Sequence, residues 1–359
     1  MPEAPRVPDQ PLGELAAEHD LKLSGARPSL SAYLAMLWQR RHFIIGYATA
    51  RNVSMYTEAK LGQLWQVLTP LLNAGVYYLI FGILFEASRG VQHYPAFLLA
   101  GVFVFAFTER SIVTGSNVMR ANLQLIRALY FPRAALPLAY VIVELQQMMV
   151  GFVVLLPVML VSGEPLTVYW FLLIPVVLLQ TAFNIGAALI VARLGGSLAD
   201  VSELIPFILR ITRYFCGVMY MVTTLPAAVP VWGIKLLSLN PPAVYISLVR
   251  VALMQTYRQN SPGNQPYNPV YCALFHKDTG GSSMVVGGKY VPLQTGAKVV
   301  DHYTVIGHHM VVLNAQLQAY CPAVVTNNDL WLAAVGWGLG FFVLGVIFFW
   351  QAESQYGRG

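Results

Sequence analysis

Charge is what this chain has least of. Only 11% of its 359 residues are Asp, Glu, Lys or Arg, where a soluble globular chain carries about 25%. So sparse a charge does not cover a surface that faces water on all sides. Paired acids are missing too. Asp9, Asp20, Asp200, Asp278, Asp301 and Asp329 are scattered, with no Asp-x-Asp pair, which argues against a membrane enzyme that holds a metal and a diphosphate. No P-loop occurs. The nearest lookalike, Gly288-Lys289, has Ser283 where the first glycine belongs and Tyr290 where Ser or Thr belongs. ATP binding is therefore not expected of this chain, and no cofactor is expected in it. The polar opening to about Pro28 lacks the short apolar core and small-residue cleavage site of a secretory leader, so the N-terminus is expected in the cytoplasm. The net charge of +6 comes without a basic, aromatic-interleaved run, so no nucleic-acid partner is expected. Cytoplasmic loops enriched in Lys and Arg explain it better.

Apolar runs are what the chain has in quantity. Hydrophobic residues make up 57% of it, and its mean hydropathy is +0.58. Six stretches approach the ~20 residues that cross a bilayer core: Leu64–Phe85, Tyr94–Gly115, Leu136–Val161, Tyr169–Val191, Ile205–Val222 and Leu330–Trp350. The runs are continuous rather than alternating, so they read as helices, not barrel strands. Arg40, Arg41, Arg51 and Lys60 precede the first span, Arg120, Arg127 and Arg133 follow the second, and Arg193 follows the fourth. The opposite side offers only Arg89 in its short loops. The positive-inside rule then places both termini in the cytoplasm of a multi-pass plasma-membrane protein. The expected fold is an all-α membrane protein. Residues 1–60 form a cytoplasmic N-terminal segment, residues 61–222 hold spans one to five, residues 223–329 form an extracytoplasmic region, and residues 330–359 hold the sixth span and tail.

Before the first span, Leu34, Leu37, Trp38, Ile45 and Ala48 share one helical face. Two readings stand: a helix in the membrane interface, or one packed on its own domain. In the extracytoplasmic region Val231–Leu239 and Ala243–Met254 are each too short to span and read as a re-entrant or interfacial helical hairpin. Residues 255–328 are rich in Gly, Asn, Pro, Ser and Tyr and read as a small insert with short strands at Ser283–Val286 and Lys298–Val300. Cys272 and Cys321 fall in this insert, on the oxidising side, and are expected to form a disulfide. Cys216 lies in an apolar run and reads as packing. His276, His302, His308 and His309 match no familiar ligand spacing, so no metal is expected. In the last span Gly336 and Gly340 form a small-xxx-small pair suited to close helix approach within the chain.

Charges inside spans need reasons, because a central charge costs about 3 kcal/mol on the insertion scale. Glu109 and Arg110 lie late in the second span, Glu144 in the third, Arg210 and Arg213 in the fifth. The two fifth-span arginines read either as a positive wall for an anionic substrate group or as structural residues. In the second case Arg210 snorkels and Arg213 pairs with Glu109 or Glu144. Tyr214 and Tyr220, beside them, are candidates for an aromatic conduit wall.

Ala59-Lys60-Leu61-Gly62-Gln63-Leu64-Trp65 with Pro70 resembles the approach to the first span in membrane subunits of ATP-binding-cassette polysaccharide exporters. Asn122-Leu123-Gln124-Leu125-Ile126-Arg127, Tyr130-Phe131-Pro132-Arg133 and Leu136-Pro137 are similar to their second-to-third loop. Asp200–Phe207 resembles their approach to the fifth span, and Leu239-Asn240-Pro241 resembles the link between their two outer helices. The resemblance implies a homodimer bound to two nucleotide-binding ATPase subunits, which would carry the ATP and Mg²⁺, and a polysaccharide linked to polyprenyl diphosphate. It implies a coupling helix seated on the ATPase at Asn122, Leu125, Arg127, Tyr130 and Arg133, and it makes Arg51, Arg210 and Arg213 candidates for the diphosphate. The insert is longer than the family's usual link, which points to a lipid-linked cell-wall galactan. The alternatives are an exporter of drugs or small lipids, and an enzyme acting on polyprenyl phosphates.

Overall fold

A computed structural model describes residues 29–57, 60–84, 93–129, 131–220, 231–260, 283–286, 289–292, 303–306, 309–312 and 325–353. The membrane domain is helical. Among the described residues four helices are long and apolar enough to cross a bilayer: α4 (Tyr94–Ala121), α6 (Ala135–Val161), α7 (Leu173–Ser197, entered through a 3₁₀ turn Val168–Leu172) and α12 (Asn327–Gln351). They correspond to the second, third, fourth and sixth predicted spans. The chain is thus a multi-pass membrane protein.

The other two predicted spans take different forms. The first is an α-helix, α3 (Trp65–Tyr77), that runs into a π-helical segment Tyr78–Leu84. The fifth begins earlier than expected, as α8 (Ala199–Phe215), and ends in a turn at Cys216. At 17 residues, with Asp200, Glu203, Arg210 and Arg213 along it, α8 is amphipathic rather than uniformly apolar, and a hydropathy window smooths over that difference.

Preceding them, α1 (Leu30–Gln39) and α2 (Arg41–Ser54) meet at Arg40. The break divides the face expected from a straight helix. Ala48 is buried with Ile44 against α6, while Leu34, Trp38 and Ile45 are exposed. Helix α5 (Leu123–Ala128) links α4 to α6. Between α8 and α12 the two expected short segments are helical, as α9 (Val231–Leu239) and α10 (Pro241–Leu253), and meet at a bend of 75°. Asn240 makes the bend: its side chain caps the amide of Ala243 at 3.0 Å, and Pro241 and Pro242 fill the first turn, where an amide would be unused. Pro242 to Leu253 are buried except Ser247, which is half-buried, so α10 enters the core between α4, α7 and α12 instead of lying on the surface.

Helix α11 (Gln255–Asn260) packs on the domain through Tyr257, which is buried against Phe97, and its Gln255 amide donates to Glu164 at 2.7 Å. Two antiparallel hairpins follow in the insert, β1 (Ser283–Val286) with β2 (Lys289–Pro292), and β3 (Tyr303–Ile306) with β4 (His309–Val312). The first expected strand coincides with β1; the second, at Lys298–Val300, lies outside the described residues, as do Cys272 and Cys321.

The closest helix pair is α7 with α12, and glycine makes it possible. A Cβ on Gly186 would collide with the backbone of Phe341, and one on Gly345 would collide with the backbone of Gly186. Gly338 lies one face-repeat earlier, where a Cβ would sit 2.9 Å from the Leu179 carbonyl. The expected pair, Gly336 and Gly340, is not the seam: nothing lies within 4 Å of either added Cβ. Seven-residue spacing keeps Gly338 and Gly345 on one stripe, whereas Gly336 and Gly340 face elsewhere.

Candidate functional site

Four charged residues, Glu109, Arg110, Glu144 and Arg213, form two groups on either side of α4. Glu109 and Arg110 are consecutive, hence about 100° apart around the helix, and each faces a different neighbour. Glu109 accepts a hydrogen bond from Arg213 of α8. The same guanidinium donates to the Tyr77 hydroxyl at 2.5 Å and lies 5.3 Å from the Phe105 ring centre. Its Nε is buried without a partner. Of the two readings for Arg213, the pairing with Glu109 is what the structure shows.

Arg210 stands apart. It is exposed on α8 among Phe207, Ile211 and Tyr214, also exposed, and makes no hydrogen bond or ion pair among the described residues. The two arginines therefore do not form one wall. Tyr214 is exposed, while Tyr220 packs against the core.

On the other side of α4, Arg110 Nη1 donates to Gln147 Oε1 at 2.6 Å. Glu144, one turn earlier on α6, is buried, and its Oε2 has no hydrogen-bond partner. Gln66, Arg110, Glu144 and Gln147 line a cavity of about 20 Å³, walled by Phe103, Phe107 and Met148. That is room for about one water. A chain of amides runs from it: Gln66 Nε2 donates to Asn52 Oδ1 at 3.1 Å, Asn52 Nδ2 to Gln146 Oε1 at 3.2 Å, and Gln146 Nε2 to Thr49 Oγ1 at 3.0 Å. Polar groups thus extend from mid-helix to α2. Such groups inside a membrane protein mark a polar path more often than an accident of packing.

The loop from α4 to α6 is braced at both ends. Asn122 accepts from the Tyr47 hydroxyl at 3.1 Å and donates to Tyr140 at 3.2 Å and to the Val118 carbonyl at 2.8 Å. Leu125 and Ile126 pack inward on a cluster that includes Met119, Leu136 and Phe349. Leu123, Arg127 and Leu129 are exposed. Tyr130 lies outside the described residues. At the far end of the loop, the Arg133 amide donates to Glu353 Oε1 at 3.0 Å, and its guanidinium donates to the Glu353 carbonyl. Tyr33 of α1 donates to Glu353 Oε2 at 2.8 Å and accepts from the Ala134 amide at 3.2 Å. Burial, and then the Glu353 charge, push the Tyr33 hydroxyl far above its ordinary range, so it remains a donor. Arg51 lies at the Asn122 end of the loop: exposed in the last turn of α2, it is 5.4 Å from the Tyr140 ring centre, with no contact to Arg213.

Two features escaped the sequence reading. Arg250 is 2% exposed, and it donates to the carbonyls of Phe97, Gly217 and Val218 at 2.7–3.2 Å while stacking 3.4 Å from the Phe97 ring centre. A lone arginine in the apolar run of α10 was the available signal. The Tyr33–Glu353 contact had no signal, since it joins opposite ends of the chain. Cys216 is a buried free thiol. Among the described residues no group of His, Cys, Asp and Glu is placed to hold a metal ion.

Residues 45–254 match the family model described as ABC-2 type transporter. Over 172 residues the chain is 27% identical to the O-antigen export system permease protein RfbA of Klebsiella pneumoniae, covering 48% of this chain and 66% of that protein. It is 26% identical over 193 residues to the RfbA permease of Myxococcus xanthus, covering 53% and 72% respectively. The chain thus spans just under two thirds of the Klebsiella relative's length.

Proposed function

This chain belongs to the ABC-2 type transporter family, and from that premise we propose that it is the membrane subunit of a polysaccharide exporter, a permease rather than an enzyme. Two copies would assemble with two ATPase subunits, which would carry the ATP and Mg²⁺. The polymer would cross the plasma membrane attached to a polyprenyl diphosphate, with both termini of this chain in the cytoplasm. The observation that carries the reading is the match over residues 45–254, which contains both the braced loop around α5 and the polar groups beside α4. Relatives named as O-antigen export permeases support a polysaccharide over a drug.

Arg127, Leu123 and Leu129 present a compact, basic and partly apolar surface on α5, suited to a protein partner. Arg210 supports the homodimer. A guanidinium exposed in a membrane without a partner is costly, and a second copy facing α8 would surround it with protein or an aqueous path. Once the Glu109–Arg213 pair is set aside, Arg210 is the strongest of the three candidates for the diphosphate, since its fork is free to meet phosphate oxygens. Arg51 would meet it only at the cytoplasmic end. Tyr214, exposed one turn from Arg210, would offer a ring face to the glycan. The length of the insert supports a cell-wall galactan as the polymer.

Co-purification with an ATPase subunit in equal amount, and accumulation of a lipid-linked glycan when the chain is depleted, test the proposal. Hydrolysis stimulated by apolar drugs but not by lipid-linked sugar would refute it. Arg210→Gln is expected to lower substrate-stimulated hydrolysis with assembly intact; full export by that variant would remove Arg210 from the diphosphate site.

A further inference from the structure

The loop that carries α5 is tied to both ends of the chain through one carboxylate. Glu353 follows the last turn of α12. Its Oε2 accepts from Tyr33 on α1 at 2.8 Å, and its Oε1 accepts from the Arg133 amide at 3.0 Å, just before α6 begins. Tyr33 is 1% exposed and also receives the Ala134 amide at 3.2 Å. Around the carboxylate, Phe349, Leu136 and Ala134 are buried in the same cluster as Tyr33. At its other end the loop is held by Asn122 between Tyr47 of α2 and Tyr140 of α6. The helix between these clamps, α5, has only six residues and buries none of them. A segment so short has little rigidity of its own. What keeps it in place is the clamps, together with the half-buried Leu125 and Ile126 against the cluster of Met119, Leu136 and Phe349.

We propose that Glu353 is a positioning residue. With Tyr33 it locks the loop Asn122–Arg133 to α1 and α12, so that a displacement of α5 is transmitted to α6 and α12 instead of being absorbed by bending of the loop. The inference rests on the reading of α5 as the seat of the ATPase, but the lock itself is a property of this chain. Truncation of the side chain is separable from misfolding. The Arg133 guanidinium bonds the main-chain carbonyl of Glu353, and Phe349 is wholly buried; both survive Glu353→Ala. What that variant removes is the acceptor for the buried Tyr33 hydroxyl and the half-buried Arg133 amide. Glu353→Gln keeps one acceptor oxygen, which can serve the Arg133 amide or the Tyr33 hydroxyl but not both.

Hydrogen exchange on the whole chain in nanodiscs tests the lock directly. Glu353→Ala and Tyr33→Phe are expected to speed exchange of the amides of residues 123–129 by about tenfold, the worth of one or two lost buried hydrogen bonds. Glu353→Gln, which keeps one of the two acceptors, should fall between wild type and Glu353→Ala. In the complex with its ATPase subunit, the first two variants should hydrolyse ATP with export per ATP reduced, while the ATPase co-purifies in unchanged amount. Unchanged exchange in Glu353→Ala would overturn the proposal. So would a Glu353→Gln variant as defective as Glu353→Ala, or a loss of export matched by loss of the bound ATPase. A photocrosslinker at Arg127 that never captures the ATPase in the wild-type complex would defeat the functional reading alone, leaving the exchange result to stand by itself.

Discussion

Arg250→Met should detach α10 from the rest of the domain. The wild-type guanidinium reaches three carbonyls on two other elements: Phe97 in the first turn of α4, and Gly217 and Val218 just past the C-terminus of α8. No carboxylate faces it among these contacts. The α8 terminus supplies compensation instead, since the end of a helix carries partial negative charge. Methionine fills much of the volume but donates nothing. Gly217 and Val218 then keep buried carbonyls that have lost their donor, at about 1–3 kcal/mol each. Relief of the desolvated cation offsets part of this. The expected net destabilisation is about 2–4 kcal/mol, with Arg250→Lys about halfway, because one ammonium cannot span all three acceptors. Unfolding in mixed micelles by SDS titration measures it. A Cβ at Gly101 would lie 2.5 Å from Arg250 Nη2 and 2.9 Å from the Val218 carbonyl, so Gly101→Ala attacks the same joint. The double variant should then fall well short of the sum of the singles. Full additivity, or an Arg250→Met protein as stable as wild type, would refute the reasoning.

Other outcomes follow from the same geometry. Gly186→Ala and Gly345→Ala should each cost about 1–3 kcal/mol or more, because backbone stands where the new methyl must go, while Gly336→Ala and Gly340→Ala should be nearly neutral; unfolding midpoints of the four variants decide it. Arg213→Met and Glu109→Met should each destabilise by about 1–3 kcal/mol, less than for a fully buried pair because both side chains are half-buried, with the double variant recovering much of the loss; equal effects in all three would argue that the pair is merely superficial. Burial holds the Glu353 carboxyl above its ordinary 4.5, opposed by the Arg133 amide, the Tyr33 hydroxyl and the Arg133 charge. A carboxyl raised on folding favours the folded state below 4.5, and that contribution is lost as pH rises through its folded value. Exchange of residues 123–129, corrected for intrinsic rates, should therefore increase as pH rises above 4.5, and Glu353→Gln should abolish this dependence.

Much of the architecture was legible one residue at a time. Hydrophobicity adds up along a chain whatever the rest of it does, so the runs that became α4, α6, α7 and α12 could be counted directly. The bend at Asn240 and the loop between α4 and α6 were equally local: a cap, two prolines and a handful of basic residues announce them. Where a run had to do two jobs the reading blurred. Arg210 and Arg213 sit in a stretch that averages as apolar, yet α8 is a 17-residue amphipathic helix with one arginine turned to Glu109 and the other outward.

Composition and order along the chain settle that this is a helical membrane protein and which segments are its helices, because burial in lipid is decided segment by segment. Partnership is decided elsewhere. Which glycine faces which backbone, which acid meets Arg213, and which residue receives Tyr33 depend on the rotation and height of each helix against its neighbours, and those are properties of the packed whole. Gly345 on Gly186, Arg250 on the end of α8, and Glu353 between Tyr33 and Arg133 exist only once the helices have come together.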